Sequence, residues 1–335
     1  MDPKTAPLDE KFDERPRMAV ITPLSAAQID GIMRAYGMRA LRIDPIAEGT
    51  TNTLYRLLTT RGRFVLRLTE RGGEDDVRRE LDVLRRLVGR QVPDVIPAAG
   101  GKPFIWAFNK PAVLFKELPG AVVPKASLTL DQLTAVGRWM AELHAVETPG
   151  DLPPTLYHPA SFWTQHVLPV HEALRALHPE VYESIDALYA GGDVPSAFDE
   201  LPQAIVHGDL FAENLLFHRE GGPWVVDLET AGRGPRLFDL AIAVFALAYD
   251  DAQSAYDPAR AEALINGWST LKRATPEEVE RWAQALRLAT IRYAFTRAVH
   301  FSIRPAIPEL RGARDPNEPL RQLKAQSALW GMLAR

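Results

Sequence analysis

Apolar residues recur along this chain with two different periods, and their order separates a β-rich stretch from a helical one. Ile29, Ile32, Met33 and Tyr36 fall at helical spacing behind Thr22-Pro23-Leu24-Ser25, and Gly37 ends the run. The pattern then shortens to strand-like runs. Residues 53–58 and 63–68 flank Thr59-Thr60-Arg61-Gly62, which reads as a hairpin turn. Over 74–88, Val77, Leu81, Leu84 and Val88 mark one face of a helix. Pro93 and Pro97 break it, Gly100 and Gly101 make a turn, and 104–107 and 112–118 read as further strands.

After Pro119-Gly120 the helical period takes over. Residues 130–146 form one predicted helix through Leu133, Val136, Met140 and Leu143, and 162–189 are mostly helical with a break near Pro179. A short β-like insert runs over 205–228, and nearly everything beyond it is helical. The expected organisation is a solvated, charged tail over 1–17, a small β-rich lobe over 18–117 and a larger helical lobe over 118–335. The longest apolar run, 240–249, lies between Asp239 and Asp250. A bilayer span needs roughly 20 residues, so this run reads as a buried helix.

Composition narrows the class. With 335 residues, 46% hydrophobic and 24% charged, the chain is ordinary globular chemistry. A formal charge of −4 gives no global pull toward nucleic acid or an anionic membrane. The absence of cysteine excludes disulfides, thiolate catalysis, iron–sulfur clusters and cysteine-bound zinc. The first 17 residues lack the apolar core of a signal peptide, so a cytoplasmic, soluble protein is expected. Its oligomeric state is open.

Chemistry concentrates in 205–248. Leu215-Leu216-Phe217 and Trp224-Val225-Val226 read as a hairpin around Gly221-Gly222-Pro223. One end of it presents His207, Asp209 and Asn214, and the other presents Asp227 and Glu229. Asp and Asn oxygens are hard ligands suited to magnesium, which keeps several waters and uses few protein ligands. One carboxylate is left to orient or deprotonate a hydroxyl. Gly232-Arg233-Gly234-Pro235 lacks the third glycine of a dinucleotide fingerprint, and neither a Walker A, a His-Glu-x-x-His nor a Gly-x-Ser-x-Gly motif occurs.

His207-x-Asp209, four residues, Asn214 and then Asp227 is the order of a kinase catalytic loop and metal-binding aspartate. On these residues the chain resembles the aminoglycoside phosphotransferase/choline kinase superfamily. The resemblance implies an α+β, two-lobed protein-kinase-like fold using ATP and Mg2+, with Asp209 as catalytic base and Asn214 and Asp227 as metal ligands. It also gives roles to upstream residues. Ala47-Glu48-Gly49-Thr50-Thr51-Asn52 stands where a phosphate-covering loop belongs, with Gly49, Thr50 and Asn52 against the nucleotide. Arg67 stands where protein kinases carry Lys, and Glu80, on the apolar side of its helix, is its expected partner. An exposed strand arginine and an edge glutamate reaching water are the plainer readings. Phe115-Lys116-Glu117-Leu118-Pro119-Gly120 resembles the hinge, so the Glu117 and Leu118 backbone would meet the adenine, with Leu216 and Val226 as apolar contacts. Asp239 is expected to cap a helix and brace the catalytic loop, and His144 to be structural.

Only eleven residues separate Asp227 from Asp239, and no Ala-Pro-Glu follows, so there is no activation segment of the protein-kinase type. The helical block between hinge and catalytic loop instead suits a small-molecule hydroxyl. Ile46-Ala47-Glu48-Gly49, Val206-His207-Gly208-Asp209-Leu210-Phe211, Phe295-Thr296-Arg297 and Arg314-Asp315-Pro316-Asn317-Glu318 resemble the type II homoserine kinases. Asp227-Leu228-Glu229 and Arg67 depart from that group toward the general phosphotransferase pattern. Homoserine is thus the expected acceptor, with an aminoglycoside, choline or another amino alcohol as the alternative. Glu229 is the candidate for an acceptor ammonium, unless it pairs with Arg233 or Arg236. Arg297 is the candidate for a carboxylate. A metal-dependent hydrolase and a non-catalytic nucleotide-binding protein are the readings from other classes, and neither uses the whole set of residues.

Overall fold

Ser25 accepts the Gln28 amide at the start of α1 (Ala26–Arg34), and the Gln28 side chain accepts from Ser25 in return. The helix ends before Gly37, whose φ of 65° lies in the left-handed region that glycine tolerates. These observations come from a computed structural model that describes residues 22–46, 52–70, 72–190, 192, 194–218, 221–305 and 310–334. The expected tail over 1–17 lies outside them.

Strands β1 (Ala40–Ile46), β2 (Thr53–Thr59) and β3 (Gly62–Leu68) run antiparallel, with Tyr55 opposite Leu66 and Leu57 opposite Phe64. Alternation turns Tyr55, Leu57, Leu66 and Leu68 inward onto Ile29 and Met33 of α1. After α2 (Glu74–Arg86) come β4 (Val95–Ile96), β5 (Ile105–Ala107) and β6 (Lys110–Lys116). The sheet order is β1-β2-β3-β6-β4, with β5 on β6. The other face of β6, Val113 and Phe115, packs with Val77, Leu81 and Leu84 of α2 into the larger core of the molecule. Val88 does not share that face. The helix ends at Arg86, the chain turns at Leu87, and Leu87 takes the buried place while Val88 is 72% exposed.

Beyond Pro119-Gly120 the short β7 (Ala121–Val122) pairs with a strand of the β-rich insert. Gly120 is required there: its φ is 103°, and a Cβ would lie 2.6 Å from the Phe217 carbonyl oxygen. The helical region comprises α3 (Leu130–His144), α4 (Pro159–Phe162), α5 (His171–Leu177), α6 (Pro179–Tyr189) and α7 (Val194–Asp199), with the expected break at His178. The insert is β8 (Gln203–Val206), β9 (Leu215–His218), β10 (Gly221–Val225) and β11 (Gly232–Pro235). β9 pairs with β10 and β7, and β8 pairs with β11.

Next come α8 (Arg236–Leu247), the small pair β12 (Tyr249–Asp250) and β13 (Ala255–Tyr256), α9 (Pro258–Trp268), α10 (Pro276–Ala298) and α11 (Asn317–Arg321). Every residue of α8 is buried, so this apolar helix is the centre of the core. α3 and α9 cross with backbones in contact: a Cβ on Gly137 would lie 2.1 Å from the Leu264 carbonyl oxygen. Among the described residues no helix is long and apolar enough to cross a membrane.

Candidate active site

The site is built on the turn that leaves β8. His207 and Gly208 donate their amides to the Asp239 carboxylate at 3.0 and 2.7 Å. Gly208 has φ 78°, and a Cβ would meet the Thr155 hydroxyl at 2.9 Å. Asp239 thus braces the loop as expected, but it is not an N-cap. Pro235 holds that position, and Asp239 sits in the first turn of α8 with its carboxylate aimed at the loop. His144 Nε2 lies 2.9 Å from the same carboxylate, and Trp268 Nε1 donates to His144 Nδ1 at 2.9 Å. Burial works against ionisation of Asp239, yet the His144 contact and the Gly208 amide hold its carboxyl below the usual range. His144 is structural, as expected.

His207 spans the turn. Its Nδ1 accepts the Asp209 amide at 3.2 Å, and its Nε2 lies 3.0 Å from the Val226 carbonyl. Asn214 donates Nδ2 to the Asp209 carbonyl at 2.9 Å, while its own carbonyl accepts from Val226 at 3.0 Å. Asp209, Asn214 and the end of β10 are therefore locked together by short-range bonds. Asp227 follows with φ 64°, an unusual conformation for a residue with a Cβ and one that costs about 1–3 kcal/mol. Burial, then the Asp209 and Glu80 charges, push the Asp227 carboxyl up to about 7 despite Arg67. Burial with Asp227 and Glu80 pushes Glu229 up to about 8 against the pull of Arg67. A cation beside these crowded carboxyls would relieve the repulsion that opposes their ionisation. Asn214, whose NH2 is committed to Asp209, has its Oδ1 left for a metal, so the donor set fits magnesium.

Arg67 and Glu80 form a bidentate pair, Nη1 to Oε1 at 2.8 Å and Nη2 to Oε2, with the two residues 5% and 2% exposed. The exposed-strand and edge-glutamate readings are thereby set aside. Arg67 lies 5.2 Å from the Phe115 ring centre and 3.3 Å from a Glu229 oxygen. Glu229 meets neither Arg233 nor Arg236. It takes Arg67 and the Asn52 amide group instead, because the segment after Asp227 turns toward β3, while Arg236 is held by Glu278 at 2.8 Å. Asn52 also accepts the Glu70 amide at 3.1 Å. Gly49 and Thr50 lie outside the described residues.

Just past β6, at the expected hinge, the Glu117 amide donates to the Arg63 carbonyl at 3.2 Å, and its carboxylate pairs with Arg56 and Arg63. The amide is therefore committed to the sheet, leaving the Glu117 carbonyl and Leu118 for a ligand edge. Leu118, Leu216 and Val226 are half-buried.

A cleft of about 320 Å³ lies between α2, the segments around Asp209 and Asp227, and α10. Asp209, Asp227, Glu80 and Glu229 line it, and so do Arg79, Arg292, Arg297 and Arg314. Arg297 is at this cleft but carries its own partners, Glu318 at 2.9 Å and the Asp315 carbonyl at 3.3 Å. The sequence reading overlooked Arg292 and Tyr293 of α10, which both donate to Asp209 Oδ1, Arg292 from Nη1 at 3.0 Å. A signal was present. Arg292 stands four residues after Leu288 and three before Phe295, on a buried stripe where a charge needs a partner.

The sequence profile of the phosphotransferase enzyme family matches residues 42–286. The homoserine kinase of Paraburkholderia phymatum is 31% identical over 333 residues, covering 93% of this chain and 99% of that enzyme. Among solved structures, a spectinomycin phosphotransferase in complex with ADP and spectinomycin superposes at TM-score 0.61 and 12% identity, over 93% of this chain and 98% of its own. Choline kinase from Cryptosporidium parvum superposes at TM-score 0.61 and 16% identity, over 87% and 91%. These likenesses establish the two-lobed, protein-kinase-like α+β fold. The family match spans the Arg67–Glu80 pair and the turn carrying Asp209, Asn214 and Asp227. This chain therefore belongs to the phosphotransferase enzyme family, as a small-molecule kinase that counts homoserine kinases among its relatives.

Proposed function

We propose that the protein transfers the γ-phosphoryl group of ATP to the primary alcohol of homoserine. The observation that carries this reading is the meeting of Asp209, Asp227 and Glu80 at one cleft, with Glu80 also holding the buried Arg67. Asp209 orients the acceptor hydroxyl and takes its proton as the oxygen bonds to Pγ. The bond from Pγ to the bridging oxygen breaks, and ADP leaves with that oxygen. Arg67 meets the α/β-phosphates while keeping Glu80, and Asn52, with Gly49 and Thr50, covers them. The Glu117 carbonyl and Leu118 meet the adenine edge between Leu216 and Val226. Asn214 and Asp227 would hold Mg2+, which neutralises phosphate charge when bound. Residues 18–117 thus hold the nucleotide, and 118–335 supply the acceptor site and the base. A soluble ATP-dependent reaction of this kind belongs in the cytoplasm.

The acceptor rests on two supports. One is the homoserine kinase among the relatives. The other is Arg297 at the cleft, whose guanidinium is the candidate partner for an acceptor carboxylate. The experiment is acceptor-dependent ADP formation with L-homoserine, choline, ethanolamine and an aminoglycoside. Turnover of homoserine is expected. Choline or aminoglycoside turnover with homoserine inert would overturn the acceptor alone, and ADP formation indifferent to any alcohol would overturn the kinase reaction.

A further inference from the structure

We infer that Arg292 and Tyr293 are positioning residues that aim the Asp209 carboxylate at the acceptor hydroxyl. The inference rests on the reading of Asp209 as the base. Both donors converge on Oδ1, which leaves Oδ2 for the hydroxyl. Two donors on one oxygen stop the carboxylate from rotating about its last bond, and a misplaced base loses rate steeply.

The clamp is itself held rigidly. Arg292 is 2% exposed, and its guanidinium carbon lies 4.3 Å from the ring centres of both Tyr157 and Tyr293. Tyr293 stacks on Phe245 of α8 at 5.1 Å and meets Phe211, two residues past Asp209, edge-on at 4.5 Å. The residue before Tyr157, Leu156, donates its amide to the Thr230 carbonyl at 3.1 Å. The frame that grips Asp209 is thus tied to the segment that follows Asp227. Arg292 has no acidic partner here other than Asp209 among the described residues, so its charge serves that one carboxylate.

Four variants test this with ATP·Mg2+ and L-homoserine: Arg292→Lys, Tyr293→Phe, Asp209→Asn, and Asp209→Asn with Arg292→Lys. Arg292→Lys should lower kcat by about 10–100-fold and Tyr293→Phe by about 3–10-fold, with the KM for ATP within about threefold of the parent. In the Asp209→Asn background, Arg292→Lys should change kcat by less than about threefold, because a group acting only through Asp209 has nothing left to aim. A merely structural role would multiply through in both backgrounds and would move the KM for ATP. Unchanged kcat in both single variants, or an independent loss in the Asp209→Asn background, overturns the inference and leaves the kinase reading intact. Full activity of Asp209→Asn overturns the base assignment itself.

Discussion

Arg67 and Arg292 are buried arginines at the candidate site, one paired with Glu80 of the cleft lining and the other itself in that lining, and they are held in opposite ways. Arg67 has two carboxyl neighbours, a bidentate Glu80 and a Glu229 oxygen at 3.3 Å. Arg292 shares a single carboxylate oxygen with Tyr293 and lies against two aromatic rings. The first arrangement lets an arginine keep its place while it meets a further anion. The second ties the arginine to Asp209, the base of the proposed reaction, so that its loss should be felt through Asp209. One wall of the site thus sets carboxyl groups around a guanidinium, and the other sets a guanidinium and a phenol on one carboxylate.

The largest expected effect breaks the second wall. Asp209→Asn changes charge but not size and should lower turnover by about 10²–10⁴-fold while leaving nucleotide affinity nearly intact. Activity within a few-fold of the parent would show that Asp209 is not the base. On the first wall, Glu80→Gln removes the charge facing buried Arg67. It should cost about 3 kcal/mol in denaturant unfolding, the low end for breaking a buried pair because Glu229 remains. A loss below about 1 kcal/mol would mean that Arg67 is held mainly by Glu229.

Two smaller effects sharpen the contrast. Asp227→Asn should weaken magnesium-dependent nucleotide binding roughly tenfold, about 1.4 kcal/mol, and titration calorimetry with and without Mg2+ reads it. An unaltered magnesium dependence would remove Asp227 from the metal site. Glu70 lies beside Asn52, and although burial opposes it, bonds from Lys110 and Thr53 hold its carboxyl below the usual range. Its stabilisation is therefore complete above the ordinary glutamate value of about 4.3 and is lost as pH falls through the lower folded value. Glu70→Gln should cost about 1 kcal/mol at pH 7, discounted for solvent screening, and the unfolding curves of variant and parent should converge in strong acid. Equal gaps at both pH values would remove the carboxylate charge from the account.

Arg297→Ala should have the least effect on stability, under about 1 kcal/mol, since its partner Glu318 is half-exposed. If Arg297 meets an acceptor carboxylate, the same variant raises the KM for homoserine and spares that for ATP. Equal changes in both constants would give Arg297 a structural role.

Much of the site was readable from local pattern. Asp209, Asn214 and Asp227 lie within one turn and one hairpin, and short-range bonds join them, so their order in the chain already implied their meeting. Glu80 was readable because helical periodicity put a carboxylate beside Val77, Leu81 and Leu84, where it needed a cation. The same logic applied to Arg292 would have marked it as buried. It would not have named its partner, which is 83 residues away in the chain. Extrapolated periodicity also failed at Val88, where the chain leaves the helical path, and at Asp239, where the helix starts earlier than the apolar run.

The sequence by itself determined which faces are buried, where the pattern passes from β-rich to helical and which oxygens gather at the turn after β8. These follow from side-chain spacing and local backbone preference, which act over a few residues. Only the tertiary structure decided that Glu229 turns to Arg67 and Asn52, that Asp239 reaches from α8 to the His207 and Gly208 amides, and that α10 delivers Arg292 and Tyr293 to Asp209. Those contacts depend on how α8 and α10 pack beneath the insert, and close packing selects one such arrangement from many that the same apolar pattern allows.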